Sequence, residues 1–195
     1  MYTDAAVHNM LDAEGTTYLS LHTDYSATGA NEVTGGSPAY ARVASSWAAA
    51  ASRAKALSAA ATFDVPAGTY KWIGRWTAST GGTFLGMGPF QGAEKEFTVD
   101  VTSNVFTQAA HGYLDTDQVV FYADTVPGGL TAGTIYFVRD KTTDTYKVAA
   151  TSGGTAIDIT SAPGNVCKVS KIVPEVIAAQ ATVKIPTGFK LTAML

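Results

Sequence analysis

The sequence predicts a predominantly all-β protein with one short helix near its amino-terminus. Leu19 and Leu21 alternate with polar residues, which is the period of a strand buried on one face. Tyr136–Arg139 and Tyr146–Ala149 flank the polar turn 140–145, which is the pattern of a β-hairpin. Glycine-containing turn signals recur along the 195 residues and separate short runs of this kind.

The first predicted element is a helix over Thr3–Glu14. Asp4 near its start interacts favourably with the helix dipole, and Gly15 ends it in the usual position. One apolar stripe would face the core and consists of Val7, Met10 and Leu11.

A strand predicted over Tyr18–His22 runs into a long polar loop between Asp24 and Pro38. Loops of this length without secondary structure are uncommon in compact domains and are usually functional. The chain re-enters structure at Tyr40 and Arg42. Because Trp, Tyr and Arg concentrate binding energy at interfaces, these two residues are candidate anchors for a neighbouring subunit.

Residues 42–63 are ambiguous, since their alanines favour a helix by intrinsic propensity. A turn at 66–68 then precedes a strand, and a further short strand is predicted over Thr83–Met87. Four residues of the first of these strands would share one face: Tyr70, Trp72, Gly74 and Trp76. Trp72 and Trp76 are expected in the core, with an anchor in a subunit interface as the alternative.

Composition excludes several classes of partner. The net charge is −3, only 15% of the residues are charged, and Arg53 and Lys55 are the closest basic pair, so no basic surface for nucleic acid is expected.

The amino-terminus lacks the pattern of a secretory signal, and the small-residue run Ala48–Ala61 is too interrupted by charge to span a membrane. The single cysteine, Cys167, is expected to be a buried small hydrophobe and suits synthesis in a reducing cytosol.

No residue pattern predicts catalysis, a metal or a cofactor. Ser20, His22 and Asp24 are the residue types of a hydrolytic triad. On one strand, however, residues two apart have Cβ atoms about 7 Å apart, and triads normally draw on separate segments. His22 is therefore predicted to be a structural or loop-anchoring residue. The histidines have no metal-ligand spacing, so we expect a protein that is not an enzyme.

The strings Leu19–Asp24, Thr28–Gly36 and Tyr40–Arg42 together resemble a segment found in small structural proteins of tailed bacteriophages, especially of the actinobacteriophage type. These are minor tail, tail-fibre and minor capsid proteins. The resemblance implies that the ambiguous segment forms two strands around a loop, Val43–Ala48 and Leu57–Phe63.

The resemblance also implies an inserted domain. In those phage proteins a strand like Lys184–Leu195 closes the first domain soon after a Gly-Gly turn, whereas here residues 97–171 intervene. The inserted stretch resembles a small β-module of phage tail and fibre proteins. The expected organisation is a β-sandwich-like domain of residues 1–96 plus 172–195, interrupted by a second small β-domain at 97–171.

The function implied by the resemblance is that of a non-enzymatic virion structural protein, made in the host bacterial cytoplasm and located on the particle surface. The first expectation is a minor capsid or decoration protein that binds the major capsid protein as a homo-oligomer. One alternative is a minor tail or tail-fibre protein that binds tail proteins and a host-surface glycan, with Tyr113 and Tyr122 as glycan contacts. Another is an enzyme that degrades polysaccharide, which would need paired carboxylates across a groove.

Overall fold

The computed structural model describes residues 4–13, 15, 17–51, 54–90, 92, 94–122, 125–164 and 167–192. It divides into two compact units. Unit 1 runs from the amino-terminal region to Phe90 and resumes at Pro174, and unit 2 occupies the chain between them. Apart from one helix, the regular elements of the described residues are antiparallel strands, so the predicted all-β class is confirmed.

The elements of unit 1 before unit 2 are one helix and seven strands: α1 (Asp4–Asp12), β1 (Thr17–His22), β2 (Val43–Ser45), β3 (Ala54–Ala56), β4 (Ala61–Val65), β5 (Gly68–Tyr70), β6 (Trp72–Trp76) and β7 (Phe84–Pro89). Unit 2 contains seven strands: β8 (Lys95–Glu96), β9 (Thr98–Asp100), β10 (Val105–Thr107), β11 (Gln118–Tyr122), β12 (Ile135–Arg139), β13 (Thr145–Ala149) and β14 (Lys168–Lys171). Three strands of unit 1 follow it: β15 (Glu175–Ile177), β16 (Ala181–Ile185) and β17 (Lys190–Thr192).

A four-stranded sheet in the order β2-β1-β6-β7 forms one layer of unit 1. Leu21 of β1 lies opposite Ile73 of β6, and both side chains join the main hydrophobic cluster of the unit. Because side chains alternate along a strand, Ser20 and its partner Gly74 lie on the other face of the same sheet.

The three last strands pair with three early ones and together make one long antiparallel ribbon. Residue 54 pairs with 192, 61 with 185 and 65 with 181, so the register continues unbroken from β3 through β4. Between these strands, the Leu57 N–H donates to the Phe189 carbonyl at 2.9 Å. The register of pairing then shifts by one residue between β4 and β5, since residue 68 of β5 pairs with 177. The ribbon therefore joins two segments that are far apart in the sequence.

Residues 42–63 contain no helix among those described, in spite of their alanines. In place of the expected strand 43–48 the structure has the shorter β2. In place of the expected strand 57–63 it has β4, which begins four residues later, and the short β3 lies between β2 and β4 in the sequence. Hydrogen bonding to β16 and β17 satisfies the backbone of β3 and β4, and this tertiary pairing overrides intrinsic helix propensity.

The core of unit 1 lies between the sheet and the ribbon. Its buried residues from these layers are Leu19, Leu21, Ile73, Leu57, Ala61, Phe63, Val65, Tyr70, Val183 and Ile185. Tyr70 belongs to this core rather than to the face that carries Trp72, because β5 ends at Tyr70 and a new strand starts after Lys71. The predicted shared face is therefore wrong for Tyr70.

Unit 2 is a seven-stranded antiparallel sheet in the order β8-β14-β11-β12-β13-β10-β9. The predicted hairpin is confirmed as β12 and β13, with Val138 opposite Val148. Its first strand, β8, pairs with its last, β14, so the two ends of the unit lie side by side. The unit begins after Phe90 and ends before Pro174, whereas the sequence placed these limits at 97 and 171.

Candidate functional site

The long loop of unit 1 packs as a layer on the second face of the four-stranded sheet. Its return segment runs beside the end of β1, where the Val33 N–H donates to the Leu21 carbonyl at 3.0 Å. The ring of Tyr25 meets that of Trp72 edge-on, with 5.2 Å between centroids. The sequence correctly indicated a loop without regular secondary structure, but its backbone and rings are held against the sheet.

A chain of three hydrogen bonds, with the buried Ser20 and His22 at its centre, joins the sheet to this loop. The Trp76 Nε1–H donates to the Ser20 hydroxyl at 2.9 Å, and Ser20 Oγ lies 2.7 Å from His22 Nε2. His22 Nδ1 lies 2.8 Å from the Ala30 carbonyl, which can only accept. In the neutral ring Nδ1 therefore carries the proton, and the Ser20 hydroxyl donates to Nε2.

Burial keeps the His22 ring neutral. Loss of solvation lowers the pKa of His22 from its ordinary value of 6.5, and the hydrogen bond to Ala30 and the charge of Glu32 oppose this only in part. The ring is 0% exposed and sits between Ser20 and Phe84. Its environment therefore supports a structural hydrogen bond at neutral pH.

The strand-spacing argument against a Ser20–His22 contact is wrong, because the imidazole reaches back along its own strand to the hydroxyl. The wider prediction, that these residues serve structure, remains a prediction. Three observations favour it: both side chains are 0% exposed, Nδ1 faces a backbone carbonyl, and the Asp24 carboxylate accepts the Tyr25 N–H at 2.9 Å.

Arg42 closes the loop onto the sheet through charge and aromatic contacts. Its guanidinium makes a forked ion pair with Glu32, with Nε–Oε1 at 2.9 Å and Nη2–Oε2 at 2.7 Å. Nη1 donates to the carbonyls of Ala78 and Gly81 at 3.1 and 2.7 Å. The same group lies 3.6 Å from the centroid of the Trp76 ring. A planar, always-charged side chain is required for this set of contacts.

Tyr40 extends the edge of β1 where β2 has ended. Its hydroxyl accepts the Leu21 N–H at 2.8 Å and lies 3.5 Å from the Glu32 carboxylate, to which it donates. Its ring stacks on Phe63. Burial raises the pKa of this hydroxyl well above its ordinary value of 10.0, so it remains a neutral donor and acceptor.

The four residues predicted as interface candidates all make contacts inside unit 1. Trp72 is only 1% exposed, so its ring is not available to a neighbouring subunit. Arg42 has a side chain 10% exposed and is engaged by the loop and the sheet. Tyr40 and Trp76 are half-buried and keep some accessible surface. The structure thus brings Tyr40, Arg42 and Trp76 together, where their contacts stabilise the packing of the loop against the sheet.

Of the two residues of unit 2 predicted to contact a glycan, only Tyr113 has a side chain within the described residues. Tyr113 is 5% exposed and packs against His111 and Tyr146, so its ring cannot stack on a sugar, and this part of the glycan hypothesis is wrong. Tyr122 ends β11, but its side chain lies outside the described residues.

Sequence reasoning missed Glu32, Gly74 and Tyr25. Glu32 lies in a polar loop where nothing marks it as the partner of Arg42, ten residues away. Gly74 looks like an ordinary strand glycine, yet a Cβ there would overlap Ser20 Oγ and His22 Nε2. An available signal was the glycine in a strand of large aromatic residues, which often marks a close approach.

The described part of the chain contains neither a metal-binding cluster of side chains nor a membrane-spanning helix. It holds no group of three or more His, Cys, Asp or Glu side chains arranged to bind an ion. Nor does any helix within the described ranges have the length and apolarity to cross a bilayer. Cys167 is buried, and burial raises the pKa of its thiol to about 12.

Comparison with known proteins links the chain to phage fibres. Residues 8–112 match the sequence model of a family described as Podophage GP4 fiber I protein gp80. No curated protein and no solved structure matches the chain. The family match covers more than half of the 195 residues and includes the whole loop network from Ser20 to Trp76. The chain therefore belongs to the family of podophage GP4 fiber I protein gp80 and is a structural protein of a phage.

Proposed function

We propose that this chain is a non-enzymatic component of a phage fibre, carried on the virion surface, and that it acts by binding other virion proteins. The observation that supports this most strongly is the family match over residues 8–112. That stretch contains β1, the long loop and β6, which together form the best-defined polar network of unit 1.

A fibre position is favoured over the capsid surface. The resemblance noted from the sequence led first to a minor capsid or decoration protein, with tail or fibre protein as the alternative. The matching family is one of fibre proteins, so it supports the alternative better and gives no support for a capsid partner or an actinobacterial host. We accordingly expect the partners to be other fibre or tail proteins.

Binding is favoured over catalysis by the state of the Ser20–His22 pair. A nucleophile must reach its substrate, but both side chains are 0% exposed beneath the loop. The Ser20 hydroxyl is also held by Trp76, and His22 by Ala30. These contacts use the polar atoms of both residues for holding the loop in place.

Several copies on one particle would strengthen attachment. Linked or repeated binding sites convert modest individual affinities into durable association, because each later contact is effectively intramolecular. We therefore expect the chain to act as one of several copies in the particle, made in the host cytoplasm before assembly.

Antibody labelling of intact particles tests the fibre assignment. Gold-labelled antibody raised against the purified chain should decorate the fibres in electron micrographs. Label confined to the head would contradict the proposal, and particles that lack the gene product serve as the control for specificity.

A polysaccharide assay tests the non-enzymatic assignment separately. Purified protein incubated with host envelope polysaccharide should release no reducing ends above a heat-denatured control. If the native chain releases them above that control, the chain is an enzyme and the proposal is wrong. Ser20→Ala, with the exposed Ser58→Ala as its control, then tests whether the Ser20–His22 pair is responsible.

A further inference from the structure

Unit 2 contains a buried polar cluster that its fold does not explain. Three residues form it: Gln108, which follows β10, Tyr113 in the next loop, and Tyr146 on β13. All three are buried, and Tyr113 and Tyr146 belong to the hydrophobic core of unit 2. Side chains with polar ends are seldom placed there unless those ends are hydrogen-bonded.

The polar ends of these three side chains have no partner in the described chain. The Gln108 amide nitrogen, the Gln108 amide oxygen and the hydroxyls of Tyr113 and Tyr146 are inaccessible to solvent and bond to no protein group there. Together these atoms can act both as hydrogen-bond donors and as hydrogen-bond acceptors.

The neighbouring His111 is not a hydrogen-bond partner of these polar atoms. His111 Nδ1 accepts the Tyr113 backbone N–H at 2.9 Å, and Nε2 lies 3.2 Å from the Thr145 carbonyl. Both ring nitrogens are thus used by backbone groups. The ring instead packs beside the two tyrosines, at 4.8 Å from Tyr113 and 5.1 Å from Tyr146 between centroids.

The three side chains lie near one another. The rings of Tyr113 and Tyr146 meet edge to face with 5.2 Å between centroids. Burial raises the pKa of Tyr113, and a close polar contact with the Gln108 side chain acts to lower it. Burial also raises the pKa of Tyr146, and the charge of an ionised Tyr113 would add to that effect. The Tyr113 side chain thus lies close to both the Gln108 amide and the Tyr146 ring, although neither contact has the geometry of a hydrogen bond.

Internal water is the ligand that fits this chemistry. Buried waters in proteins typically make about three hydrogen bonds to polar groups that would otherwise be unsatisfied. Two hydroxyls and an amide supply that number, and they carry no net charge that would call for an ion. We propose that unit 2 binds an ordered internal water between Gln108, Tyr113 and Tyr146.

The sign of one stability change tests the proposal. If a water bonds to the Tyr146 hydroxyl, Tyr146→Phe removes a satisfied hydrogen bond, and the unfolding equilibrium constant of the full-length protein should rise by roughly fivefold. If the hydroxyl is truly unpaired, Phe is better suited to the site and stability rises instead. Unchanged or increased stability overturns the proposal.

Tyr136→Phe provides the matched control. Tyr136 is also buried in unit 2, but its hydroxyl accepts the Thr131 N–H at 2.8 Å, so a loss is expected there in any case. Tyr113→Phe should behave like Tyr146→Phe. Both comparisons use chemical denaturation of the full chain, read by the fluorescence of its tyrosines and tryptophans.

A crystal structure at a resolution that shows ordered water provides the direct test. A peak at roughly 2.7–3.2 Å from the Tyr146 hydroxyl and from at least one other atom of the cluster supports the proposal. Direct hydrogen bonds from Gln108 to the two hydroxyls, with no peak between them, overturn it.

Discussion

Ser20 of β1 lies directly opposite Gly74 of β6, and the space above Gly74 is occupied by the Ser20 hydroxyl and the His22 ring. This pairing explains why a glycine stands in a strand of large aromatic residues. Because a side chain at position 74 would overlap Ser20 and His22, the hydrogen-bond chain from Trp76 to Ala30 requires a glycine there.

Gly74→Ala is therefore expected to destabilise the protein. The new methyl group would displace Ser20 or His22 in a closely packed site, at a cost of about 1–3 kcal/mol. Gly88→Ala, on the neighbouring strand with open space around the position, should change stability by no more than about 0.5 kcal/mol. Urea unfolding of both variants measures the difference, and equal effects would contradict the packing described for Gly74.

Stability should decrease in mildly acidic solution because of His22. Its folded pKa lies below 6.5, so the unfolded chain takes up a proton first as the pH falls. The His22 contribution is fully present above pH 6.5 and decreases below it, by at most about 1.4 kcal/mol per pH unit, until the folded pKa is reached.

His22→Gln provides the control for this pH dependence, because glutamine keeps a polar side chain but does not titrate. Unfolding free energies measured from pH 7.5 to 5 should show a steeper fall for the native protein than for the variant. Parallel curves would mean that the ring is protonated equally well in the folded protein.

Arg42→Lys should destabilise unit 1 although the charge is kept. Lysine cannot make the forked pair with Glu32 and also donate to Ala78 and Gly81 while lying over Trp76. Because Arg42 and Glu32 are mostly buried, we expect a loss of about 2–4 kcal/mol in unfolding free energy.

An exposed ion pair provides the comparison for Arg42. Arg139 and Asp140 form such a pair in unit 2, with side chains 31% and 52% exposed. Asp140→Asn should cost less than about 1 kcal/mol, since exposed pairs contribute little and asparagine tolerates the positive φ of this position. A loss for Arg42→Lys no larger than this would show that its network contributes little.

Local patterns in the sequence predicted many of the elements. The alternation at Leu19 and Leu21 marks β1, and the polar turn after Arg139 marks the hairpin of β12 and β13. These features depend on neighbouring residues only, so their period and turn chemistry can be read directly.

The remaining features depend on partners that are distant in the sequence. Ala54, Ala56 and Ala61 lie in strands because β17 and β16 supply the hydrogen bonds of these strands, more than a hundred residues away. Ser37 and Pro38 at the end of the long loop are held by the Gln180 side chain, through its Oε1 at 3.1 Å and Nε2 at 3.2 Å. Composition and spacing carry no signal for such contacts.

The candidate site was predicted in its residues but not in its arrangement. Tyr40, Arg42 and Trp76 were singled out as binding residues, yet their contacts within unit 1 depend on Glu32 and on the fold of the loop. The Ser20–His22 contact depends on the side-chain conformation of His22, which strand periodicity does not specify.

The ribbon between 54–70 and 175–192 is the central structural claim, because it makes unit 1 one fold built from two distant segments. Asp64 and Thr182 are exposed register partners in it. Asp64→Cys with Thr182→Cys should form a disulfide on mild oxidation, since paired residues of adjacent strands lie within disulfide distance. The Cys167 thiol, whose pKa burial raises to about 12, should not compete.

Mass spectrometry of peptides from the oxidised protein is the most direct measurement. The described register predicts a cross-link between positions 64 and 182, and much less for Thr62→Cys with Thr182→Cys, because residue 62 pairs with 184. Absence of the 64–182 cross-link, or equal cross-linking of both pairs, would contradict the ribbon and the architecture built on it.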